Sequence, residues 1–167
     1  QKLALYHGNF QNAEILDLRS GMRQPAFESK SIAWSVAWHP DGNLLAGAVG
    51  KDVELWNTKT QIRHAVLQGH EDQVVHVRFS HEGDLILTYS WDGQMVLWDT
   101  RTHRQVLRDT LSHAIFSADD QTIAGTFGGH PAIFELNHAL ERSRMVGSDS
   151  PESLAPTRGA FDTRSGL

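Results

Sequence analysis

The 167-residue chain contains no cysteine. Disulfides and thiolate-held metals are thereby excluded, and the chain suits a reducing compartment, so a cytoplasmic location is expected. Long apolar runs are also missing: none approaches the roughly 18 residues a membrane helix requires. No basic-then-apolar leader opens these residues. Basic clustering is absent too, with no run of Lys or Arg longer than two and a formal net charge of −5. Nucleic acid is normally met by a concentrated basic face, so neither it nor a membrane is an expected partner. The ten histidines lack metal-ligand spacing. His76 and His81 fall on different elements, and no His-Glu-x-x-His helix occurs. Neither metal nor cofactor is expected. The Gly-rich stretch Gly125–Ala132 lacks the Lys-Ser or Lys-Thr and the helix of a phosphate loop, and reads as a turn between strands.

What is present is a globular composition, 40% apolar and 21% charged, on a chain long enough for a sizeable core. It is organised by a repeat. Laying Ser35–Thr60 over His76–Thr102 puts Trp38 on Phe79, Gly42 on Gly83 and Leu44 on Leu85, each 41 residues apart. After one extra residue, Trp56 falls on Trp98 and Asn57 on Asp99, 42 apart. Upstream, Ala13–Gly21 lies 40 residues before the matching Val53–Gln61. Downstream, Phe116 takes the place of Phe79 and Phe134 that of Leu97, 37 residues on. Phe161 and Gly166 stand near the positions of Phe79 and Gly83 once more.

Each unit reads as short antiparallel strands. Val75, Val77 and Phe79 alternate with polar neighbours. Turn chemistry separates the strands at Pro40-Asp41-Gly42, Glu82-Gly83-Asp84 and Asp92-Gly93. Four strands in about 40 residues is the arithmetic of a propeller blade.

Through Gly69-His70, "HPDGNLLA" (His39–Ala46), "SWDG" (Ser90–Gly93) and "LWD" (Leu97–Asp99), with "LWN" and "ILD" as variants, the chain resembles the WD40-repeat β-propellers. The resemblance runs the length of the chain and is sharpest in the second complete unit. It implies an all-β fold of WD40-like blades, each of four antiparallel strands. The whole of 1–167 forms a single WD40-repeat region, with units at about 1–28 (partial), 29–69, 70–109, 110–150 and 151–167 (partial). In that register the segment Ala139–Met145 is an outer fourth strand, and Gly147–Gly159 is the loop into the next blade. Leu3 and Leu167 fall at one phase of the repeat, so an incomplete propeller is expected, cut from a longer protein. Closure as a four-bladed ring and pairing of two chains are the alternatives, and open blade edges are possible surfaces for self-association.

His70, Thr88 and Asp92 invite comparison with a hydrolytic triad. The resemblance implies instead a structural tetrad of His70, Thr88, Asp92 and Trp98, in which each buried polar group finds a partner. Thr88 lies mid-strand and lacks the Gly-x-Ser-x-Gly elbow that would expose a nucleophile. No catalytic residue is assigned, and the chain is not expected to be an enzyme. By the same register, the first unit carries Ser29 at the His position, Gly47 at the Thr position and Gly50 beside the turn. The third carries Leu107 at the His position and Gly129 at the Asp position. Neither can form the tetrad.

The resemblance also implies partner contacts from the top face. Its positions here are Ile32 and Trp34, then Gln73, Val75 and Trp91, then Thr110 and Ser112. Trp91 stands where a polar residue would serve the turn, and Trp is enriched in binding hot spots. The function expected is a non-catalytic protein–protein interaction scaffold with a protein or peptide partner. The alternative is a sensor or docking region of a larger bacterial signalling protein, such as a Ser/Thr kinase, with catalysis outside this chain.

Overall fold

The computed structural model describes residues 2–6, 12–28 and 33–136. Ser29, Ile32 and the segments expected at Ala139–Met145, Gly147–Gly159 and around Phe161 lie outside the described residues. Among the described residues the regular structure is strand, arranged as four antiparallel meanders whose strands neighbour one another in chain order. The first sheet holds β1 (Lys2–Tyr6), β2 (Asn12–Asp17) and β3 (Arg23–Glu28). The second holds β4 (Ala33–Trp38), β5 (Leu44–Val49), β6 (Asp52–Asn57) and β7 (Arg63–Leu67). The third holds β8 (Val74–Phe79), β9 (Leu85–Ser90), β10 (Met95–Asp99) and β11 (Gln105–Asp109). The fourth holds β12 (Ser112–Phe116), β13 (Thr122–Phe127) and β14 (His130–Glu135). No ring closes among the described residues. The sheets stack in sequence, β1 against β4, β4 and β5 against β8, and β9 against β12.

The residues dictate this stacking. In β9 and β10 the alternating side chains serve two different cores, so both strands read as almost unbroken apolar runs. Ile86, Val96 and Trp98 join Val77 and Phe79 against Ala46, Val53 and Leu55 of the second sheet. Leu85, Leu87, Met95 and Leu97 turn the other way and meet Leu111, Ala114, Phe116 and Ile123. A third cluster, Ile15 with Ala33, Leu45 and Val49, joins the first sheet to the second. Each such aliphatic side chain contributes about 1.5–3 kcal/mol on burial, against about 1 kcal/mol for a hydrogen bond, so these interfaces dominate the stability. On the far side of the fourth sheet, Ile115, Ala124 and Ile133 form one cross-strand row, and the two isoleucines are exposed.

Two local features position the sites. A register irregularity recurs where the first strand meets the second: between Ala33 and Ser35, between Val74 and His76, and between Ser112 and Ile115. A bulge re-aims the extra residue, and the extra residues are Trp34 and Val75. At the opposite end of the strands, Gly42, Gly83 and Asp120 occupy the same turn position with φ of 74°, 83° and 54°. Each donates its N–H three residues back, to His39, Ser80 and Ser117. Asp120 thus holds a left-handed conformation that favours glycine.

Candidate functional site

Two constellations occupy adjoining positions where the second and third sheets meet. The first grows from the connection between β7 and β8. Gly69 places His70 against the third sheet, and a Cβ on Gly69 would stand 3.0 Å from Trp98 Cη2, so the chain passes directly over the indole. His70 Nδ1 lies 2.9 Å from Asp92 Oδ2, in the β9–β10 turn. Its Nε2 lies 2.8 Å from Thr88 Oγ1 on β9. Trp98 on β10 donates its indole N–H to the same hydroxyl at 3.0 Å. Asp92 also accepts the N–H groups of Glu71 and Gln94, which fixes both the loop and the turn.

Burial sets the protonation. The His70 side chain is 1% exposed and Thr88 is fully buried. Burial pushes the imidazole below its ordinary value of 6.5, against the pull of Asp92 and assisted by Arg108. Burial acts to raise Asp92, but the N–H groups of Glu71 and Gln94 and the His70 contact outweigh it, and the carboxyl sits below its ordinary 3.8. A neutral imidazole then donates from Nδ1 to Asp92 and accepts the Thr88 O–H at Nε2. The Val96 carbonyl, 3.1 Å from Thr88 Oγ1, is the alternative acceptor for that single hydroxyl proton. A threonine fully enclosed in this way has no route to a substrate, and the arrangement ties a loop and a turn to a sheet.

The other sheets replace these bonds. In the second sheet Gly47 stands opposite Val36, where Thr88 stands opposite Val77. Trp56, the counterpart of Trp98, donates instead to Glu54 Oε2 at 3.2 Å, and Glu54 Oε1 accepts from Arg63 at 2.8 Å. In the fourth sheet the spacing expectation for Leu107 fails. Leu107 lies within β11, opposite Leu97, because the β11–β12 connection is only Thr110 and Leu111. Leu111, fully buried, covers Gly125, whose Cβ would meet Leu111 Cγ at 2.8 Å. The leucine thus occupies the space that a side chain at Gly125, the counterpart of Thr88, would need. Gly129 lies in the β13–β14 turn with φ of 82°.

The second constellation is aromatic. Trp34, carried outward by its bulge, donates its indole N–H to Gln73 Oε1 at 2.5 Å. Gln73 accepts the backbone N–H of Trp91 at its carbonyl, 2.9 Å away. The two indole rings meet edge to face, centroids 5.0 Å apart and planes at 61°. Trp34 is 36% exposed and Trp91 56%. Residues from two sheets therefore converge on one exposed pair of rings. The other expected top-face positions among the described residues make different contacts. Val75 is the half-buried extra residue of β8, Thr110 is exposed with its N–H on Asp109, and the Ser112 hydroxyl pairs with that of Thr126 at 2.7 Å. Among the described residues, no group of three His, Asp or Glu side chains is placed to hold a metal ion.

Sequence reasoning missed the ties at the opposite end. His81 Nδ1 donates to Asp120 Oδ1 at 2.7 Å, joining the third sheet to the fourth. The available signal was an aspartate at a turn position that is glycine in the two preceding units.

Comparison with known proteins agrees with the repeat. The WD40 profile, described as "WD domain, G-beta repeat", matches residues 25–57 and 61–99. The chain is 35% identical over 92 residues to pre-mRNA-processing factor 19 homolog 2 of Arabidopsis thaliana, covering 53% of this chain and 17% of that protein. It is 32% identical over 81 residues to probable cytosolic iron-sulfur protein assembly protein 1 of Kluyveromyces lactis, covering 42% and 24%. It is 30% identical over 88 residues to guanine nucleotide-binding protein subunit beta-2 of Caenorhabditis elegans, covering 50% and 24%. The match thus spans a quarter or less of each of these relatives. Residues 25–57 and 61–99 are thus WD40 repeats, and the stacked meanders and the His-Thr-Asp-Trp hydrogen-bond chain stand in their register.

Proposed function

We propose that the chain is a non-catalytic protein-interaction scaffold that docks a partner on the sheet ends where Trp34, Gln73 and Trp91 meet. The single observation carrying this reading is that two exposed indoles from different sheets are held edge to face by Gln73. Exposing two large rings is unfavourable in water unless a partner covers them, and Trp is the side chain most enriched where partners bind. The absence of an accessible nucleophile in the His70–Thr88–Asp92 group supports the non-catalytic half of the reading. The relatives lend support in kind, since one is a subunit of a guanine nucleotide-binding protein and another an assembly protein. None of the three is named as a kinase, and the kinase-linked alternative gains nothing from them.

The test compares wild type with Trp34→Ala and Trp91→Ala in affinity capture read by mass spectrometry, with thermal unfolding measured on each. The reading requires proteins held by wild type to be lost from both variants while the melting temperatures stay within a few degrees. Equal capture by all three, or variants that no longer fold, would defeat it.

A further inference from the structure

The ring pair sits in an acidic setting, and that setting selects a chemistry. Three segments border it: the β5–β6 turn at Gly50–Asp52, the loop His70–Gln73, and the β9–β10 turn at Trp91–Gln94. Backbone hydrogen bonds lock them together, Val74 N–H to the Gly50 carbonyl at 2.7 Å and Trp91 N–H to that of Gln73 at 2.9 Å. The Ser90 hydroxyl adds a bond to the Asp72 carbonyl at 2.9 Å. These segments carry four carboxylates, Asp52, Glu71, Asp72 and Asp92, against one ammonium, Lys51. Asp52 accepts from Gln68, and Asp92 is engaged by His70 and two backbone N–H groups. Glu71 and Asp72 are exposed and form no ion pair among the described residues. Asp72 Oδ1 accepts the Gln73 N–H at 2.7 Å, and two negative charges without a cationic partner among the described residues therefore immediately precede Gln73, the residue that holds the indoles.

The indoles are set for the same kind of guest. Trp34 has committed its N–H to Gln73, so what it offers solvent is ring surface. Trp91, more than half exposed, offers ring surface beside it. Indole faces are electron-rich and attract cations, and carboxylates within a Debye length add to the attraction. An anionic guest is repelled by the carboxylates. A purely apolar guest draws nothing from Glu71 and Asp72.

We propose that the Trp34–Trp91 pair, with Glu71 and Asp72, receives a basic side chain of the partner, arginine in preference to lysine. This rests on the docking reading above and deepens it. Arginine fits better because its planar guanidinium stacks on an indole face while its fork still donates to a carboxylate, and it sheds water more readily than an ammonium.

The test is a titration of the full chain, ¹⁵N-labelled, followed by the indole N–H signals in two-dimensional NMR. The probes are blocked tripeptides, acetyl-Gly-Xaa-Gly-amide, with Xaa as arginine, lysine, citrulline or glutamate. Citrulline keeps the shape of arginine and removes its charge. The Trp34 and Trp91 signals should move saturably with arginine while that of Trp98, buried in the core, stays fixed. Lysine should bind more weakly, citrulline at least about fivefold more weakly, and glutamate not at all, in line with a cation–ring contact. Glu71→Gln with Asp72→Asn should weaken the arginine probe about threefold or more, and added salt should do likewise. Equal binding of arginine and citrulline would overturn the charge inference and leave docking by the ring pair standing. No movement at Trp34 or Trp91 with any probe overturns the inference. The docking reading is then decided separately, by whether Trp91→Ala still captures wild-type partners.

Discussion

His39 in the β4–β5 turn donates its Nε2–H to the carbonyl oxygen of Gly83, in the corresponding turn of the next sheet, at 3.1 Å. The imidazole lies so close over Gly83 that a Cβ built there would stand 2.4 Å from Nε2. Gly83 is thus glycine for two reasons, its φ of 83° and the ring above it, whereas Gly42 has a φ of 74° with nothing within 4 Å of a Cβ.

That contrast predicts unequal costs for one substitution. Gly42→Ala meets only the left-handed backbone and should cost about 1 kcal/mol. Gly83→Ala must also displace His39 and break its bond to the carbonyl, for a total of about 2–3 kcal/mol. Urea unfolding midpoints at an unchanged slope measure both. In the His39→Ala background the difference between the two alanine variants should shrink to near zero. A gap that persists there would locate the cost elsewhere than the ring.

The same end of the strands carries a second tie, from His81 to Asp120. The Asp120 carboxylate accepts from His81 Nδ1 at 2.7 Å and from the Glu82 N–H at 2.9 Å, while its backbone holds a φ of 54°. Asp120→Ala keeps the backbone strain and loses both bonds, at about 1–2 kcal/mol. Asp120→Gly loses the same bonds but relieves about 1 kcal/mol of left-handed strain, so it should be the milder change. His81→Ala should be milder still, since that side chain is 62% exposed and exposed ion pairs contribute under about 1 kcal/mol. Burial acts to raise the Asp120 carboxyl, yet its bonds to His81 and the backbone hold it below 3.8. Its contribution is therefore fully present above the unfolded value and is lost as pH falls through the folded one. A pH series of unfolding midpoints on wild type and Asp120→Ala should converge in acid.

The sheets were legible because burial on both faces writes itself as recurring Val, Leu and Trp between fixed turns. His70, Thr88, Asp92 and Trp98 fell on one register, and the structure brings their side chains within hydrogen-bond distance. Leu107 was misplaced because a fixed offset assumes equal connections. The β7–β8 connection spans residues 68–73, whereas β11–β12 has only residues 110 and 111. The register set Trp34, Gln73 and Trp91 on one face, but the contact between the two rings could not be read, because the tryptophans are 57 positions apart and meet only through a bulge in one sheet and a turn in the next. Asp120 was passed over because its role depends on a neighbouring sheet that no local pattern encodes.

The buried tetrad gives the sharpest expectation, since removing one hydroxyl leaves two partners stranded. Thr88→Val preserves shape but deprives the Trp98 N–H and His70 Nε2 of their shared partner, which should cost about 2–3 kcal/mol. Thr88→Ser keeps the hydroxyl and loses one buried methyl, for about 1 kcal/mol. The pH dependence follows from His70. Its folded value lies below 6.5, so between the two values the unfolded chain binds more protons than the folded one. The tetrad's contribution is thus complete above pH 6.5 and declines as pH falls toward the folded value. His76, lowered by burial and by Arg78, adds a decline of the same sign. Unfolding midpoints taken from pH 7.5 to pH 5 should fall for wild type and fall less steeply for His70→Gln, with the His76 share remaining. A wild-type midpoint that rises toward pH 5 would mean that the imidazole is held charged in the fold, with Nε2–H donating to Thr88 and the Thr88 hydroxyl turned to Val96.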